Sequence, residues 1–178
     1  MIRKLGLAAL AAGLLATPAV AAEKLTVETS KGCSFDIALR SDLAPKHVEQ
    51  ITKLAAAGFY DGIVFHRVIE GFMAQTGDPT GTGMGGSKEP DLAAEFTPEP
   101  FSRGTVGMAR SSDPNSGNSQ FFIMFAPNPG LDGQYTIVGN VESGMELVDN
   151  IKKGNDADNG SVTDPDRMVK VRIASDGN

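Results

Sequence analysis

Short stretches of alternating apolar and polar residues recur along most of this chain. Leu25, Val27 and Thr29 alternate with polar neighbours, and a second alternating stretch covers residues 33–39. A period of two places the apolar side chains on one face of a strand, and a short break between two such strands indicates a β-hairpin. Further short strands are predicted at residues 63–69, 72–75, 105–109, 120–125, 135–141 and 169–173.

Two other segments have helical spacing. After Pro45, which suits a first helical turn, the apolar residues Val48, Ile51 and Leu54 recur at helical intervals. A second, short helix is predicted within residues 145–151. Many short strands, two helices and no regular alternation of strand with helix indicate a mainly antiparallel sheet or barrel whose open ends the helices cover.

Long polar loops connect these elements. Residues 77–103, 111–119 and 155–166 are polar, rich in turn-forming residues, and have little periodicity. Loops as long as residues 77–103 and 111–119 are commonly functional in a compact domain, so we expect these two to form walls of a binding groove.

Two loop motifs look like ligand sites but fail the physical requirements of those sites. Residues 81–86 contain a Gly-x-Gly-x-x-Gly pattern, yet Pro90 follows and no apolar helical period does, which argues against a dinucleotide site. Residues 155–160 resemble a calcium loop, but Ala157 occupies a ligand position and no downstream Glu completes the site. Both segments are interpreted as ordinary loops.

The histidines, the cysteine and the best-placed serine form no recognisable reactive group. His47 and His66 lie outside any cluster at metal-ligand spacing and are interpreted as structural, so we expect neither a metal nor a cofactor. Cys33 lies on the apolar face of a predicted strand, and a single cysteine allows no internal disulfide. Ser119 lacks the Gly-x-Ser-x-Gly elbow and evident partners, which leaves a hydrolase as a weak alternative.

The beginning of the chain has the order of a cleaved secretory signal. Two basic residues precede an apolar run over residues 5–15, and small residues follow. The apolar run is shorter than the roughly 20 residues that span a bilayer. We therefore expect a signal peptide over residues 1–22, cleaved after Ala21 or Ala22, no membrane attachment afterwards, and one domain over residues 23–178.

The predicted mature chain is acidic. The whole chain has a formal net charge of −6, and loss of Arg3 and Lys4 with the signal changes this charge to −8. Nucleic acids and anionic lipid surfaces are bound by clustered Lys and Arg, so the charge argues against both partners.

One strand-like stretch, residues 65–77, combines a cation, an amide and two large apolar side chains. Arg67 among apolar groups keeps its charge and offers forked donors to a carbonyl or to an amide nitrogen. Phe72 and Met73 are suited to receive a small apolar ring. The stretch offers no nucleophile, so the pattern favours gripping a peptide, with conformational or electrostatic chemistry, over covalent cleavage.

The strand predicted at residues 120–125 is rich in aromatic residues. Phe121 and Phe122 point to opposite faces of it, because side chains alternate along a strand. At least one of the two belongs in the core, and the pattern leaves open whether the other faces a groove.

Several blocks of this sequence together resemble the cyclophilin family of peptidyl-prolyl isomerases. The blocks are residues 65–67, 71–75, the glycine-rich loop at residues 81–86, 119–123 and 131–133. Their order and spacing match over about residues 25–173. The resemblance implies a closed, eight-stranded antiparallel β-barrel capped by two α-helices. It also implies a cofactor-free isomerase that rotates X-Pro bonds in unfolded or proline-containing polypeptides.

The resemblance also implies roles for individual positions. Arg67 is the implied catalytic residue, which stabilises the twisted prolyl amide without a covalent intermediate. The implied substrate-binding residues are Phe72, Met73, Phe122 and Leu131 around the proline, Gln75 for the substrate backbone, Ala109 on the strand that pairs with an extended peptide, Phe65 and His66 flanking the site, and Arg110, Gln120 and Tyr135.

Three positions differ from eukaryotic members of that family. Gly130 stands where they have Trp, Tyr135 stands where they have His, and Arg110 replaces an asparagine, as in bacterial members. Tyr135 keeps an aromatic plane and a hydroxyl, so we expect the pocket wall to persist.

Export and the bacterial-like site predict a Gram-negative periplasmic enzyme that assists the folding of exported proteins. The chain has no added interaction segment, so we expect a monomer. The alternative is a periplasmic chaperone or peptide-binding module with little isomerase activity.

The missing indole predicts weak cyclosporin binding. Gly130 offers no side chain where eukaryotic relatives have Trp, and no Trp stands elsewhere in the chain. We expect cyclosporin to inhibit the isomerisation of an X-Pro peptide only weakly when the drug is titrated into the assay. Nanomolar inhibition would contradict this prediction.

Overall fold

The strands of this chain form one antiparallel sheet. The computed structural model describes residues 23–175, and the predicted signal peptide, residues 1–22, lies outside that range. The strands are β1 (Glu23–Thr29), β2 (Ser34–Leu39), β3 (Arg67–Ile69), β4 (Met73–Thr76), β5 (Thr105–Met108), β6 (Phe121–Met124), β7 (Ile137–Ser143) and β8 (Met168–Ser175). The helices are α1 (Pro45–Ala56) and α2 (Met145–Asp149), with single 3₁₀ turns at Pro129–Leu131 and Asp156–Asp158.

The strand order confirms the predicted mainly β, eight-stranded antiparallel fold with two helices. Neighbouring strands follow the order β3, β4, β6, β5, β7, β2, β1, β8, and every pairing is antiparallel. The barrel is less completely closed than predicted, because no ladder joins the edge strands β3 and β8. The two edges of the sheet meet only through the residues just before β3. There Val64 bridges Arg167, and the Phe65 amide donates to the Asp166 carbonyl at 2.8 Å. This seam replaces the first half of the strand predicted at residues 63–69.

Alternation along the strands divides the buried apolar residues into two clusters. The larger one combines residues from β1, β2 and β8 with Val48, Ile51 and Leu54 of α1, which confirms the helical face predicted from the sequence. The smaller one consists of Met73, Phe101, Phe122, Met124 and Ile137. Phe121 belongs to the larger cluster and Phe122 to the smaller, as a period of two requires. The β5 and β6 strands are therefore buried on both faces.

A carboxylate from the long loop caps helix α1. Ala44 precedes the helix without a side-chain cap, and the Glu95 carboxylate instead accepts the amides of Lys46 and His47 at 3.3 and 3.1 Å. The same carboxylate lies 2.7 Å from His47 Nδ1. Burial alone would raise the pKa of Glu95, but these hydrogen bonds outweigh it and lower that pKa. His47 therefore serves the fold, since it joins the first turn of α1 to the loop before β5.

Residues 23–175 contain neither a candidate membrane-spanning helix nor a cluster of metal ligands. Within residues 23–175, neither α-helix has the length and hydropathy of a membrane span. The same part of the chain places no three His, Cys, Asp or Glu side chains where they could share a metal ion.

Cys33 precedes β2, is half-buried, and has its sulfur 3.5 Å from Thr29 Oγ1.

Candidate active site

A pocket of about 110 Å³ opens over β4, β6 and the end of β5. Its walls combine two arginines, one amide and a set of apolar and aromatic side chains. They are Arg67, Phe72, Met73, Gln75, Ala109, Arg110, Phe122, Leu131 and Tyr135. The structure thus brings most of the site residues predicted from the sequence into one cavity.

Strand register explains why these side chains meet. Arg67 on β3 pairs with Gln75 on β4, and Gln75 pairs with Phe122 on β6. Cross-strand partners project from the same face of a sheet, so cation, amide and aromatic ring form one row across three strands. The next residue in this row is Gly107 on β5, where a Cβ would lie 2.5 Å from the Phe122 ring. Only glycine leaves room there for the ring.

The floor of the pocket is aromatic and rigid. Phe122 is almost fully buried and stacks on Phe101, with ring centroids 5.9 Å apart. Tyr135 meets Phe122 edge to face at 5.6 Å, and the Arg110 guanidinium lies 4.4 Å above the Tyr135 ring. Arg110 also donates to the Gln134 carbonyl through Nε and Nη2. The ring contacts and these hydrogen bonds fix one wall of the pocket.

The Arg67 guanidinium is half-buried and is held by uncharged oxygens. Nε and Nη2 donate to the main-chain and side-chain oxygens of Asn159 at 3.0 and 2.9 Å, and Nη1 donates to Gln75 Oε1 at 3.2 Å. Among residues 23–175, no carboxylate forms an ion pair with it. Burial lowers the pKa of Arg67, but an arginine keeps its proton at neutral pH. The pocket therefore contains a cation whose charge no anion within residues 23–175 neutralises.

Gln75 connects Arg67 to the glycine-rich loop. Its Nε2 donates to Gln120 Oε1 at 2.8 Å, and Gln120 Nε2 donates to the carbonyls of Gly83 and Gly85 at 3.0 and 2.8 Å. The acceptor oxygen of Gln75 is thereby turned toward Arg67, because its amide nitrogen is already engaged. This relay fixes the rotamers of both glutamines.

A second, larger cavity of about 660 Å³ adjoins the first and shares Gln75, Ala109 and Arg110 with it. Residues 83–87 of the glycine-rich loop line it together with residues 109–111. Gln120 also lines this cavity. The predicted loops 77–103 and 111–119 therefore do form walls of a groove.

A buried carboxylate holds the glycine-rich loop in place. Asp78 accepts the amides of Thr80, Thr82, Gly83 and Gly85 at 2.8, 3.1, 2.6 and 3.1 Å. Burial would raise the pKa of Asp78, but these donors and the Thr80 hydroxyl outweigh it and lower that pKa to about 2. A Cβ on Gly85 would lie 2.2 Å from Asp78 Oδ1, so the nest of amides requires glycine there.

Two of the predicted site residues lie outside both cavities. Phe65 is fully buried in the larger core cluster and does not reach the pocket. His66 is buried beneath the loop, where a Cβ on Gly83 would lie 3.4 Å from its Nε2, and neither ring nitrogen has a hydrogen-bond partner among the described residues. Burial lowers the pKa of His66, so its neutral form is favoured.

Sequence reasoning missed three residues that shape the site. Phe101 supports the pocket floor, Asp78 anchors the loop, and Asn159 holds Arg67. The Asn-Gly pair at residues 159–160 is a turn signal with a preference for a left-handed backbone, which could have drawn attention to Asn159. No local pattern indicated the partners of Phe101 or Asp78.

Comparisons with known proteins agree with this geometry. A family model described as cyclophilin type peptidyl-prolyl cis-trans isomerase/CLD matches residues 24–173. A protein of Brucella suis biovar 1 (strain 1330), named "Probable peptidyl-prolyl cis-trans isomerase", is 54% identical over 180 residues, which cover 94% of this chain and 92% of that protein.

Solved structures are similar as well. A crystal structure of a Cryptosporidium parvum cyclophilin type peptidyl-prolyl cis-trans isomerase has a TM-score of 0.79 and 30% identity, covering 88% of this chain and 99% of that one. A second crystal structure of the same protein, in the presence of the dipeptide Ala-Pro, has a TM-score of 0.77 and 30% identity, covering 86% of this chain and 99% of that one.

Replacing Asp78 with Asn tests the anchor of the glycine-rich loop. A lowered pKa means that the carboxylate stabilises the fold above its unfolded pKa of 3.8, and that this contribution is lost as the pH falls toward about 2. At about 1.4 kcal/mol per pKa unit, Asp78→Asn is expected to lower the free energy of unfolding by about 2 kcal/mol at neutral pH. Urea denaturation measures this difference, which we expect to shrink between about pH 4 and pH 2.

Asp164→Asn is the matched control. The Asp164 carboxylate is exposed and accepts no hydrogen bond from the described residues. We expect the control to unfold like the unmodified protein at neutral pH. An Asp78→Asn variant that matches the control would contradict the proposed anchor.

Proposed function

Because the chain belongs to the cyclophilin-type peptidyl-prolyl cis-trans isomerases, we propose that Arg67 drives isomerisation by binding the prolyl nitrogen while the X-Pro amide is twisted. The observation that carries this proposal is the half-buried Arg67 guanidinium, held by neutral oxygens at the edge of an apolar pocket. The enzyme acts on X-Pro peptide bonds, and the residue roles below are our proposal for how it does so.

The chemistry of the X-Pro bond sets what the site has to do. Rotation breaks amide resonance, and the barrier of about 18–20 kcal/mol makes the uncatalysed reaction take tens of seconds or longer. In the planar amide the prolyl nitrogen does not accept a hydrogen bond, whereas in the twisted amide its lone pair is restored. A donor aimed at this nitrogen therefore binds the transition state more strongly than the ground state.

Arg67 has donors left for this purpose. A guanidinium carries five N–H groups, and three of them are used by Asn159 and Gln75. The other two, one on each terminal nitrogen, have no acceptor among residues 23–175. Since no carboxylate neutralises the cation, its charge also strengthens a hydrogen bond to the prolyl nitrogen.

The apolar part of the pocket supports a role in holding the proline ring. Met73 and Phe122 are almost fully buried at its floor, and Phe72 and Leu131 line its sides. A ring seated there excludes water, which strengthens the contact with Arg67, and it anchors one side of the bond while the other side rotates. A rate enhancement of about 10⁵ requires roughly 7 kcal/mol, so the charged hydrogen bond and the anchoring must act together.

The two adjoining cavities support an extended peptide as the substrate. Ala109 and Arg110 line both cavities, so a chain with its proline in the smaller one can continue along these residues into the larger one. The dipeptide Ala-Pro named with the Cryptosporidium parvum structure also supports proline-containing peptides as ligands. We propose Gln75 and Ala109 as contacts for the substrate backbone, with Arg110, Gln120 and Tyr135 completing the walls.

A second candidate function is peptide capture without rapid isomerisation. The larger cavity, about 660 Å³ and lined mainly by polar residues and glycines, favours binding of unfolded chains independently of Arg67. Suppression of aggregation measures this activity. If it persists in a variant that no longer isomerises X-Pro bonds, the two activities are separable.

We further propose that the enzyme is exported as a monomer to a Gram-negative periplasm, where it assists protein folding. The order of basic, apolar and small residues at the N-terminus supports export. Expression of the full chain in a Gram-negative host, followed by fractionation and N-terminal sequencing, tests the idea. We expect a periplasmic protein beginning at Ala22 or Glu23. A cytoplasmic protein that retains Met1 would contradict export.

Substitution of Arg67 tests the mechanism. We expect Arg67→Ala to lower kcat/KM for an X-Pro peptide by about 100- to 1000-fold, as for the loss of a transition-state donor. Peptide affinity is expected to fall by less than about tenfold, since the proline pocket remains. A protease-coupled assay measures turnover, and titration of a ¹⁵N-labelled protein measures affinity.

Arg103→Ala is the control for loss of an arginine. Arg103 is exposed and pairs with Asp149, away from the pocket. We expect this variant to retain full turnover. Full turnover in folded Arg67→Ala would refute the proposed role of Arg67.

A further inference from the structure

We infer that Asn159 is a positioning residue that orients Arg67 while leaving its charge available to the substrate. The inference rests on the proposed role of Arg67 and extends it to a loop residue. Asn159 follows the 3₁₀ turn Asp156–Asp158, and both of its oxygens accept hydrogen bonds from the same guanidinium.

The contact resembles the two-bond pairing of an arginine with a carboxylate, but the acceptor residue is neutral. Arginine and a carboxylate commonly pair through two parallel N–H···O bonds. Here the main-chain oxygen of Asn159 accepts from Nε at 3.0 Å, and its Oδ1 accepts from Nη2 at 2.9 Å. One neutral residue thus supplies both acceptors. The guanidinium plane is fixed, and the positive charge remains uncompensated.

The backbone of Asn159 is in a conformation that suits this grip. Its φ of 51° and ψ of 34° lie in the left-handed region, which Asn adopts more readily than other non-glycine residues. The following residue is Gly160, where a Cβ would lie 2.4 Å from Ile69 Cγ1. The Asn-Gly pair therefore lets the loop turn and lie directly against β3.

Backbone hydrogen bonds attach this loop to the residues on either side of Arg67. The Val68 amide donates to the Gly160 carbonyl at 2.8 Å, and the Val162 amide donates to the His66 carbonyl at 3.1 Å. The loop is thus attached to the strand on both sides of Arg67. Asn159 holds the guanidinium from one side, and Gln75, fixed by Gln120, holds it from the other.

Two substitutions separate positioning from a purely structural role. Asn159→Gly keeps the left-handed backbone and the main-chain acceptor, and removes the side chain together with its Oδ1 acceptor. We expect it to lower kcat by about 3- to 10-fold, as for one lost hydrogen bond, with KM changed by less than about twofold. Asn159→Asp keeps the shape and adds a charge. It is expected to hold Arg67 at least as firmly and yet to lower kcat by about tenfold or more, because the carboxylate neutralises the cation.

Asp164→Gly is the matched control for these variants. Asp164 has the same φ of 51° and is not among the partners of Arg67. We expect unchanged kcat and KM in this variant. Thermal unfolding of all variants checks that the fold is intact.

A double-mutant cycle with Arg67→Ala, measured at high enzyme concentration, shows whether Asn159 acts through Arg67. In the Arg67→Ala background, Asn159→Gly is expected to change turnover by less than about twofold. The Nε–H signal of Arg67 in ¹⁵N spectra gives a second readout, which we expect to shift in Asn159→Gly and to be unaffected in Asp164→Gly.

The outcomes distinguish this inference from the function on which it rests. If Arg67→Ala abolishes turnover while Asn159→Gly and Asn159→Asp retain it, the inference fails and the role of Arg67 stands. Equal losses from Asn159→Gly in both backgrounds also overturn the inference, since Asn159 then acts independently of Arg67. If Arg67→Ala itself retains turnover, the proposed mechanism fails and the inference fails with it.

Discussion

The site depends on a cation that is held in place without being neutralised. At a separation of 4 Å, a carboxylate and a guanidinium interact by about 4 kcal/mol at an effective dielectric constant near 20. An ion pair of that strength would compete with the proposed contact between Arg67 and the prolyl nitrogen of a twisted amide, which is a weak acceptor. Asn159 and Gln75 instead offer three neutral oxygens to Arg67, which fix its plane and leave its charge exposed to the pocket. The other features of the site serve to keep this arrangement in position.

The sheet and one loop provide that support by different means. Register on β3, β4 and β6 aligns Arg67, Gln75 and Phe122 in one row, and Gly107 leaves room for the ring at its end. The glycine-rich loop has no such ladder. The Asp78 carboxylate orders this loop instead, by accepting hydrogen bonds from its backbone amides. Hydrogen bonds through Gln120 and Gln75 then connect the loop to Arg67. A segment whose composition predicts flexibility is thereby made part of a rigid wall.

The sequence predicted what depends on local periodicity and missed what depends on distant partners. The short apolar stretches at residues 105–109 and 120–125 located β5 and β6, and the period of two separated Phe121 from Phe122, because strand geometry acts over neighbouring residues. Arg67, Phe72 and Met73 came from the residue types of one stretch and the other pocket residues from resemblance to a family, and the structure brings most of them together. Glu95 caps α1 from a position far away in the sequence, and a contact of this kind leaves no periodic pattern of apolar and polar residues. Residues 155–160 were interpreted as an ordinary loop, and their contact through Asn159 with Arg67 depends on how the loop lies on β3.

The partial burial of Arg67 is a compromise between two opposing costs. Full exposure would let water screen the cation, and full burial without a counter-ion would cost several kcal/mol. The chain has a formal net charge of −6, yet the partners of Arg67 are the neutral oxygens of Asn159 and Gln75. Asp78, the buried carboxylate of the adjoining loop, is satisfied by backbone amides and the Thr80 hydroxyl, and burial is what lowers the pKa of Arg67. Asp78 is thus occupied within the loop, and the positive charge of Arg67 remains available to the pocket, as the proposed contact with a twisted prolyl nitrogen requires.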